Sequence, residues 1–250
     1  MTESYNPFSL KGKAILITGA SSGIGRATAI ACSKMGATLI ITGRNKQRLE
    51  ETFSCLEGIN NIAIPADLTN QEDLKKVIDA IPKLDGIVLA AGIVQMYPIQ
   101  FVSVEKFDRI FQTNLYAPIE LLRVITKKKL YNSGFSIVAI DSVAGNEYFS
   151  VGNSIYGAGK AALKSFLKYF SLEMAKKDIR VNTISPGLIL TPMQTKGAIS
   201  EEDLSKAIET VPMKRWGKPE EIAPAAVFLL SDMSSYMTGS DIRIDGGFTI

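Results

Sequence analysis

The sequence predicts one α/β domain built on a doubly wound parallel sheet of about seven strands, with helices on both faces. Three observations predict it. Short β-branched apolar runs alternate with amphipathic segments along the whole chain. A glycine-rich turn joins the first such run to the first helix. No Pro/Gly/Ser-rich or charged stretch divides the 250 residues, whose 46% hydrophobic content suffices for a full core. Strands that are apolar throughout belong to sheets covered on both faces, and right-handed crossovers place helices on each side.

The first strand is expected at Ala14–Thr18, ending in Gly19-Ala20-Ser21-Ser22-Gly23-Ile24-Gly25 and followed by a helix over 26–35 that Gly36 closes. Such a turn aims backbone N–H groups and a helix N-terminus at one point, the geometry that holds a pyrophosphate. The same residues fit Gly-x-Ser-x-Gly, a nucleophile elbow with Ser21 as nucleophile, and a ligand-free tight turn is a third reading. Three glycines at this spacing after a strand favour a dinucleotide. A second strand over 37–42 runs into Gly43-Arg44. An NAD site would place an acidic residue about 20 positions after the turn, on the ribose 2′-hydroxyl. None occurs from Arg26 to Leu49, and Arg44 stands where a 2′-phosphate needs a cation, so NADP(H) is expected.

A helix over 46–56, a strand over 59–64, Pro65-Ala66-Asp67-Leu68-Thr69, a helix over 71–81 and a strand over 86–90 entering Ala91-Gly92 continue the alternation. Residues 103–129 read as one long helical region. Within it, Asn114 by default bridges backbone groups, and Pro118 kinks or restarts the helix. A strand over 135–140 delivers Asp141-Ser142 at its carboxyl end, where ligands of open α/β sheets lie. The helix over 154–175 carries Tyr156-Gly157-Ala158-Gly159-Lys160 and is apolar around most of its circumference. One buried face does not need that much apolar surface, so packing against a second subunit is expected. A strand over 179–185 leads into Pro186-Gly187-Leu188-Ile189-Leu190-Thr191. Residues 192–216 read as a lid rich in Met and Ile, Pro219-Glu220-Glu221 opens a last helix, and Asp241–Ile244 forms the last strand.

Composition excludes several classes. The 28 basic and 25 acidic residues are spread without aromatic interleaving, which argues against a nucleic-acid surface. Residues 1–13 lack a signal-peptide core and no apolar run matches a membrane span, so a cytoplasmic protein without a membrane partner is expected. Cys32 and Cys55, both in expected helices, lack metal or disulfide spacing and read as packing residues. With no histidine, Ser-His-Asp and Cys-His triads and His-ligated metals are absent, and no metal is expected. Proton transfer falls to Tyr, Lys or carboxylates. Tyr156 and Lys160, four apart, share a helix face. One positive charge at ~4–5 Å, with an effective dielectric near 20, favours a phenolate by about 3–4 kcal/mol. With 8 tyrosines and 28 basic residues such a pair also arises by chance, so its company decides.

Thr18-Gly19-x-x-x-Gly23-x-Gly25, Asn114, Ser142, Tyr156-x-x-x-Lys160 and Pro186-Gly187, in this order, resemble the short-chain dehydrogenase/reductase family over nearly the whole chain. The resemblance implies a Rossmann fold and an oxidoreductase interconverting a carbonyl and a secondary alcohol with NADP(H). It implies Tyr156 as proton donor or base, with Lys160 assisting it and binding the nicotinamide ribose. Ser142 would bind the substrate oxygen, and Asn114 would hold the helix and a relay water. By the same resemblance Gly19, Ser21, Ser22, Gly23, Ile24 and Gly25 hold the pyrophosphate and Asp67 and Leu68 the adenine. Ala91, Gly92, Pro186, Gly187, Ile189 and Thr191 line the rest of the cofactor.

Two departures stand out: Leu89-Ala90-Ala91-Gly92 replaces the family's Asn-Asn-Ala-Gly, and Ser142 and Tyr156 are 14 apart, one more than usual. That longer loop, with Glu147, Tyr148 and Phe149, reshapes the substrate wall. Length and C-terminal pattern are similar to 3-oxoacyl-[acyl-carrier-protein] reductases, which implies a 3-oxoacyl thioester substrate. It also implies an acyl-carrier protein docking beside the cleft on Lys177 and on Lys127, Lys128 and Lys129, unless these are a solvated face. A homotetramer or homodimer is implied as well. The competing readings are a sugar, polyol, steroid or other secondary alcohol as substrate, and a non-catalytic NADP(H) sensor.

Overall fold

The computed structural model describes residues 6–192 and 206–250. Seven strands form one parallel sheet: β1 (Ala14–Thr18), β2 (Thr38–Gly43), β3 (Ile62–Pro65), β4 (Leu84–Leu89), β5 (Tyr131–Ile140), β6 (Arg180–Pro186) and β7 (Asp241–Ile244). Their order is β3-β2-β1-β4-β5-β6-β7. The chain therefore winds outward from β1 in one direction, returns to β4, and winds outward in the other. Between β1 and β4 the crossovers diverge to opposite faces and open a crevice at the carboxyl ends.

Helices α1 (Gly23–Lys34), α2 (Lys46–Phe53) and α7 (Pro219–Leu230) cover one face. Their Ala29, Cys32, Leu49, Ile222, Ala226 and Leu230 join Ile15, Ile17, Leu39 and Val138 in one buried cluster. Helices α3 (Gln71–Ala80), α4 (Val104–Phe111), α5 (Ala117–Lys128) and α6 (Ser154–Met174) lie on the other. There Leu74, Val77, Leu121, Ile125, Leu163 and Leu167 pack on Leu16, Ile87, Phe135 and Ile137. At about 1.5–3 kcal/mol for each buried Leu, Ile or Phe, these two layers fix the frame that holds the site. The strands are apolar on both sides because both sides are core.

The expected elements are present, with displaced ends. The strand expected from 59 begins at Ile62, because Asn60 turns through φ 66° and leaves Ile59 exposed. The helix expected to 56 stops at Phe53, so Cys55 is exposed and not a packing residue. Cys32 is buried, and burial pushes its thiol up to about 12. The strand expected from 135 begins at Tyr131. The single helix expected over 103–129 is α4 and α5 joined by a π-helical turn, Gln112–Tyr116.

Of the expected lid over 192–216, residues 193–205 lie outside the described residues. Its end is fastened: Val211 is buried and the Met213 amide donates to the Gly246 carbonyl at 3.2 Å. On α6, Tyr169 and Leu172 are 69% and 76% exposed, an apolar strip that the described residues leave uncovered.

Candidate active site

The crevice begins at the β1–α1 turn. Gly19 takes φ +67°, and a Cβ there would stand 2.7 Å from the Ala90 carbonyl oxygen, so only glycine lets the turn lie against the end of β4. Gly25 lets α1 approach the same turn: its Cβ would meet the Gly19 carbonyl oxygen at 2.4 Å. No side chain caps α1, its N-cap Ser22 included, and no acidic residue occupies its first turn. A helix start with free N–H donors and no anion of its own fits a pyrophosphate.

The end of β4, Leu89-Ala90-Ala91-Gly92, is held by Thr18. Its hydroxyl accepts from the amides of Ala90 and Ala91 at 3.1 and 3.2 Å and donates to the Val88 carbonyl. The next residues are held by Asn114, whose Oδ1 accepts from the Ile93 amide and whose Nδ2 donates to the Ile93 carbonyl, both at 2.8 Å. Asn114 can do this because it sits in the π turn. Pro118 has no N–H to offer the Asn114 carbonyl, so the helix opens there and resumes as α5. Gly92 lies between Asn114 and Lys160: a Cβ on it would be 3.5 Å from Asn114 Oδ1 and 4.0 Å from Lys160 Nζ.

Tyr156 is half-buried in the first turn of α6. Lys160, one turn on, is buried, with Nζ 5.9 Å from the Tyr156 ring centroid and donating to the Ile140 carbonyl at 2.7 Å. Ser142 follows β5, and its Oγ accepts from the Ala144 amide at 3.1 Å. The loop after Ser142 is pressed onto α6 where two glycines meet: a Cβ on Gly145, at φ +93°, would stand 2.2 Å from the Gly157 carbonyl oxygen. That contact brings the Ser142 and Tyr156 segments together. Asn114, Ser142, Tyr156 and Lys160 thus lie at the carboxyl edge of the sheet, beside the open start of α1.

On the adenine side of the crevice, Arg44 follows β2 with its side chain 57% exposed, 4.0 Å from Asp67. An exposed pair at that distance leaves the guanidinium available. Asp67 caps its own turn by accepting from the Thr69 amide and hydroxyl, and Leu68 packs partly on the core. Beyond β6, the Val143 amide donates to the Pro186 carbonyl and the Gly187 amide to the Ile244 carbonyl, which fixes the far wall. The Ile189 side chain is buried beneath Gly217. Leu188 and Leu190 supply the hydrogen bonds to Gly217. Thr191 lies 3.3 Å from where a Gly23 Cβ would be, closing the ring over the α1 turn.

The lysines expected to dock a carrier beside the cleft are not beside it within one chain. Lys127, Lys128 and Lys129 precede β5, and Lys177 precedes β6, at the amino ends of strands whose carboxyl ends hold the site. The ten residues of β5 separate the two edges by roughly 30 Å. The sheet is parallel, so no loop rearrangement brings them together.

Three features of the site are not legible in the sequence. Thr18 stands there only within the glycine motif, and Gly145 and Gly157 do not show as a contact. The third is a buried ionic group: Asp141 is 3% exposed with no side-chain hydrogen bond to either carboxylate oxygen, and Lys164 Nζ lies 4.0 Å from it. Desolvation pushes the Asp141 carboxyl up to about 7, against the pull of Lys160 and Lys164. An acid beside the strand end and a lysine four after Lys160 were the available signal.

Comparisons with known proteins show the family to which this fold and sequence belong. A family model described as Enoyl-(Acyl carrier protein) reductase matches residues 19–249. The 3-oxoacyl-[acyl-carrier-protein] reductase FabG of Thermotoga maritima is 35% identical over 247 residues, covering 96% of this chain and 99% of that protein. An NAD-dependent glycerol dehydrogenase of Listeria innocua is 32% identical, covering 97% and 96%. Among solved structures, the Pseudomonas aeruginosa RhlG/NADP active-site complex superposes with a TM-score of 0.89 at 28% identity, covering 99% and 100%.

Proposed function

Because the chain belongs to the short-chain dehydrogenase/reductase family and is therefore an oxidoreductase that uses a nicotinamide cofactor, we propose that it reduces a 3-oxoacyl thioester with NADPH. The observation that carries this reading is the convergence of Ser142, Tyr156 and Lys160 at one sheet edge, next to a helix start with no anion of its own. A bound nicotinamide supplies or accepts the hydride. The chain's own residues then govern the proton and the orientation. Ser142 Oγ and the Tyr156 hydroxyl donate to the carbonyl oxygen, so charge develops where donors already point. Tyr156 gives up its proton to that oxygen, and Lys160 offsets the phenolate left behind. Asn114 fixes the backbone at Ile93, which forms the floor beside Gly92.

NADPH is favoured over NADH because Arg44, not a carboxylate, follows β2 and remains exposed. The thioester is favoured by the FabG relatives. A second reading, a polyol or sugar alcohol, is supported by the glycerol dehydrogenase relative and differs only in the substrate wall. A non-catalytic sensor has no use for the full Ser142–Tyr156–Lys160 set. We further propose an oligomer formed across α6, whose Tyr169 and Leu172 lack cover. Antiparallel pairing of α6 about a two-fold axis would carry the Lys177 end of one protomer toward the cleft of its partner. That geometry is the route by which those lysines meet a carrier.

The deciding experiment follows NADPH oxidation with acetoacetyl thioesters alongside polyols, sugars and steroids. Turnover of the thioester that disappears in Tyr156→Phe, with NADPH binding retained, is the expected outcome. Turnover of polyols alone selects the second reading. NADPH binding without turnover of any carbonyl overturns the enzyme assignment.

A further inference from the structure

Next to Lys160 lies a second set of ionisable groups that the proposed reaction does not use. Asp141 precedes Ser142, and its side chain points to the opposite side of the strand end, into the space between β5, β6, β7 and α6. It faces Lys160 and Lys164 from α6 and Asp241 from β7, and Asp241 in turn accepts from the hydroxyls of Thr183 and Ser185 on β6. Lys164 Nζ donates to Asp241 at 2.9 Å and to Ser185 at 3.3 Å, and Ser185 Oγ donates to Asp241 at 2.8 Å. Asp241 is thus fully engaged, while both Asp141 oxygens lack a side-chain hydrogen bond. The side chains of Lys164 and Asp241 are 11% and 17% exposed, so the group reaches solvent at its far end.

Counting charge gives this arrangement a function. Lys160, Lys164 and Asp241 sum to +1 when Asp141 holds a proton and to zero when it does not. A buried carboxylate with no side-chain hydrogen bond is governed by the charges around it, with the Ser142 amide its one backbone donor. Resting on the reading of Tyr156 as the proton-transfer group, we propose that Asp141 is a positioning residue acting through Lys160. Protonated, it leaves the Lys160 ammonium to the Tyr156 phenolate; ionised, it competes for that ammonium and cancels the positive field. One proton moves between Asp141 and solvent, and no electrons move. The pair Lys164–Asp241 sets how readily that proton leaves. The active site would then carry a pH-dependent gain control placed out of reach of substrate and cofactor.

The first test needs no substrate. Protein labelled with ¹³C at aspartate side chains is titrated without cofactor, and the resonance lost in Asp141→Asn should titrate near neutrality. In Lys164→Met that resonance should titrate at higher pH, since a favourable cation is gone. A resonance titrating near 4, the range of an ordinary aspartate, overturns the proposal. The second test reads the acid limb of kcat/KM for alcohol oxidation, which reports Tyr156 in the free enzyme. Asp141→Asn, fixing the cluster at +1, should move that limb to lower pH by half a unit or more. If Asp141→Asn does not fold, Asp141→Ser, which also fixes the cluster at +1, should move it the same way. Limbs that superimpose on the parent enzyme overturn the proposal even if Tyr156→Phe is inactive, so the two readings fail separately.

Discussion

Asp141 is ionised only against the cost of burial, and that cost has a pH signature. Its carboxyl stands at about 7 in the fold against an ordinary value near 3.8. The folded protein therefore binds more protons than the unfolded chain between those values, and stability falls as pH rises from about 4 through about 7. Relative to the parent, Asp141→Asn should gain about 2–3 kcal/mol between pH 5 and pH 8. Urea unfolding at the two pH values measures it, and a constant difference would contradict the buried-carboxyl account. At Arg44 the lost interaction is a charge-assisted one, worth about 1.5–3 kcal/mol. Arg44→Asp should therefore lower the NADPH:NADH preference by at least roughly 10-fold and, with repulsion added, reverse it. Fluorescence titration with both cofactors checks this, and unchanged relative affinities would sink the 2′-phosphate reading.

At the scale of elements, the site depends on close backbone approaches more than on any one side chain. Gly145→Ala must either drive a Cβ into the Gly157 carbonyl or move the loop, and the positive φ adds strain of about 1–3 kcal/mol. A shift of ~1 Å at Ser142 costs roughly 100-fold in rate. The expected result is a kcat loss near that size with NADPH affinity kept, measured by steady-state kinetics and cofactor titration.

Much of this was legible in the sequence where local chemistry is self-contained. The glycine turn, the strand ends bearing Ser142 and Arg44, and Tyr156-x-x-x-Lys160 are read from short spacings. So was Pro118, four residues after Asn114, which announced a break in the long helix. The Thr18 hold on Ala90 and Ala91 was not legible, because it joins residues more than 70 apart that only the β1–β4 pairing brings together. Asp141, Lys164 and Asp241 were hidden for the same reason: each alone reads as an ordinary polar residue on its own element. The place of the lysines was not legible either, because a linear sequence does not show which edge of a parallel sheet a loop belongs to.

For the whole molecule, the uncovered strip on α6 makes the quaternary state a test of the fold's incompleteness as a monomer. Placing charge there with Tyr169→Glu and Leu172→Glu should lower the mass seen by light scattering to that of a smaller assembly, while the sheet retains its circular dichroism. An unchanged mass would place the interface elsewhere. Charge reversal at Lys177 should weaken a carrier-borne substrate and spare a short thioester analogue, and equal effects on both would remove carrier docking. The contact between Gly145 and Gly157 has a consequence for how such an enzyme diversifies. It anchors the chain three residues after Ser142. Beyond the anchor Glu147 pairs with Arg243 and Tyr148 packs on Phe248, so residues 146–153 can be rewritten to admit a different carbonyl only together with the C-terminal segment they touch, while the reacting groups keep their positions.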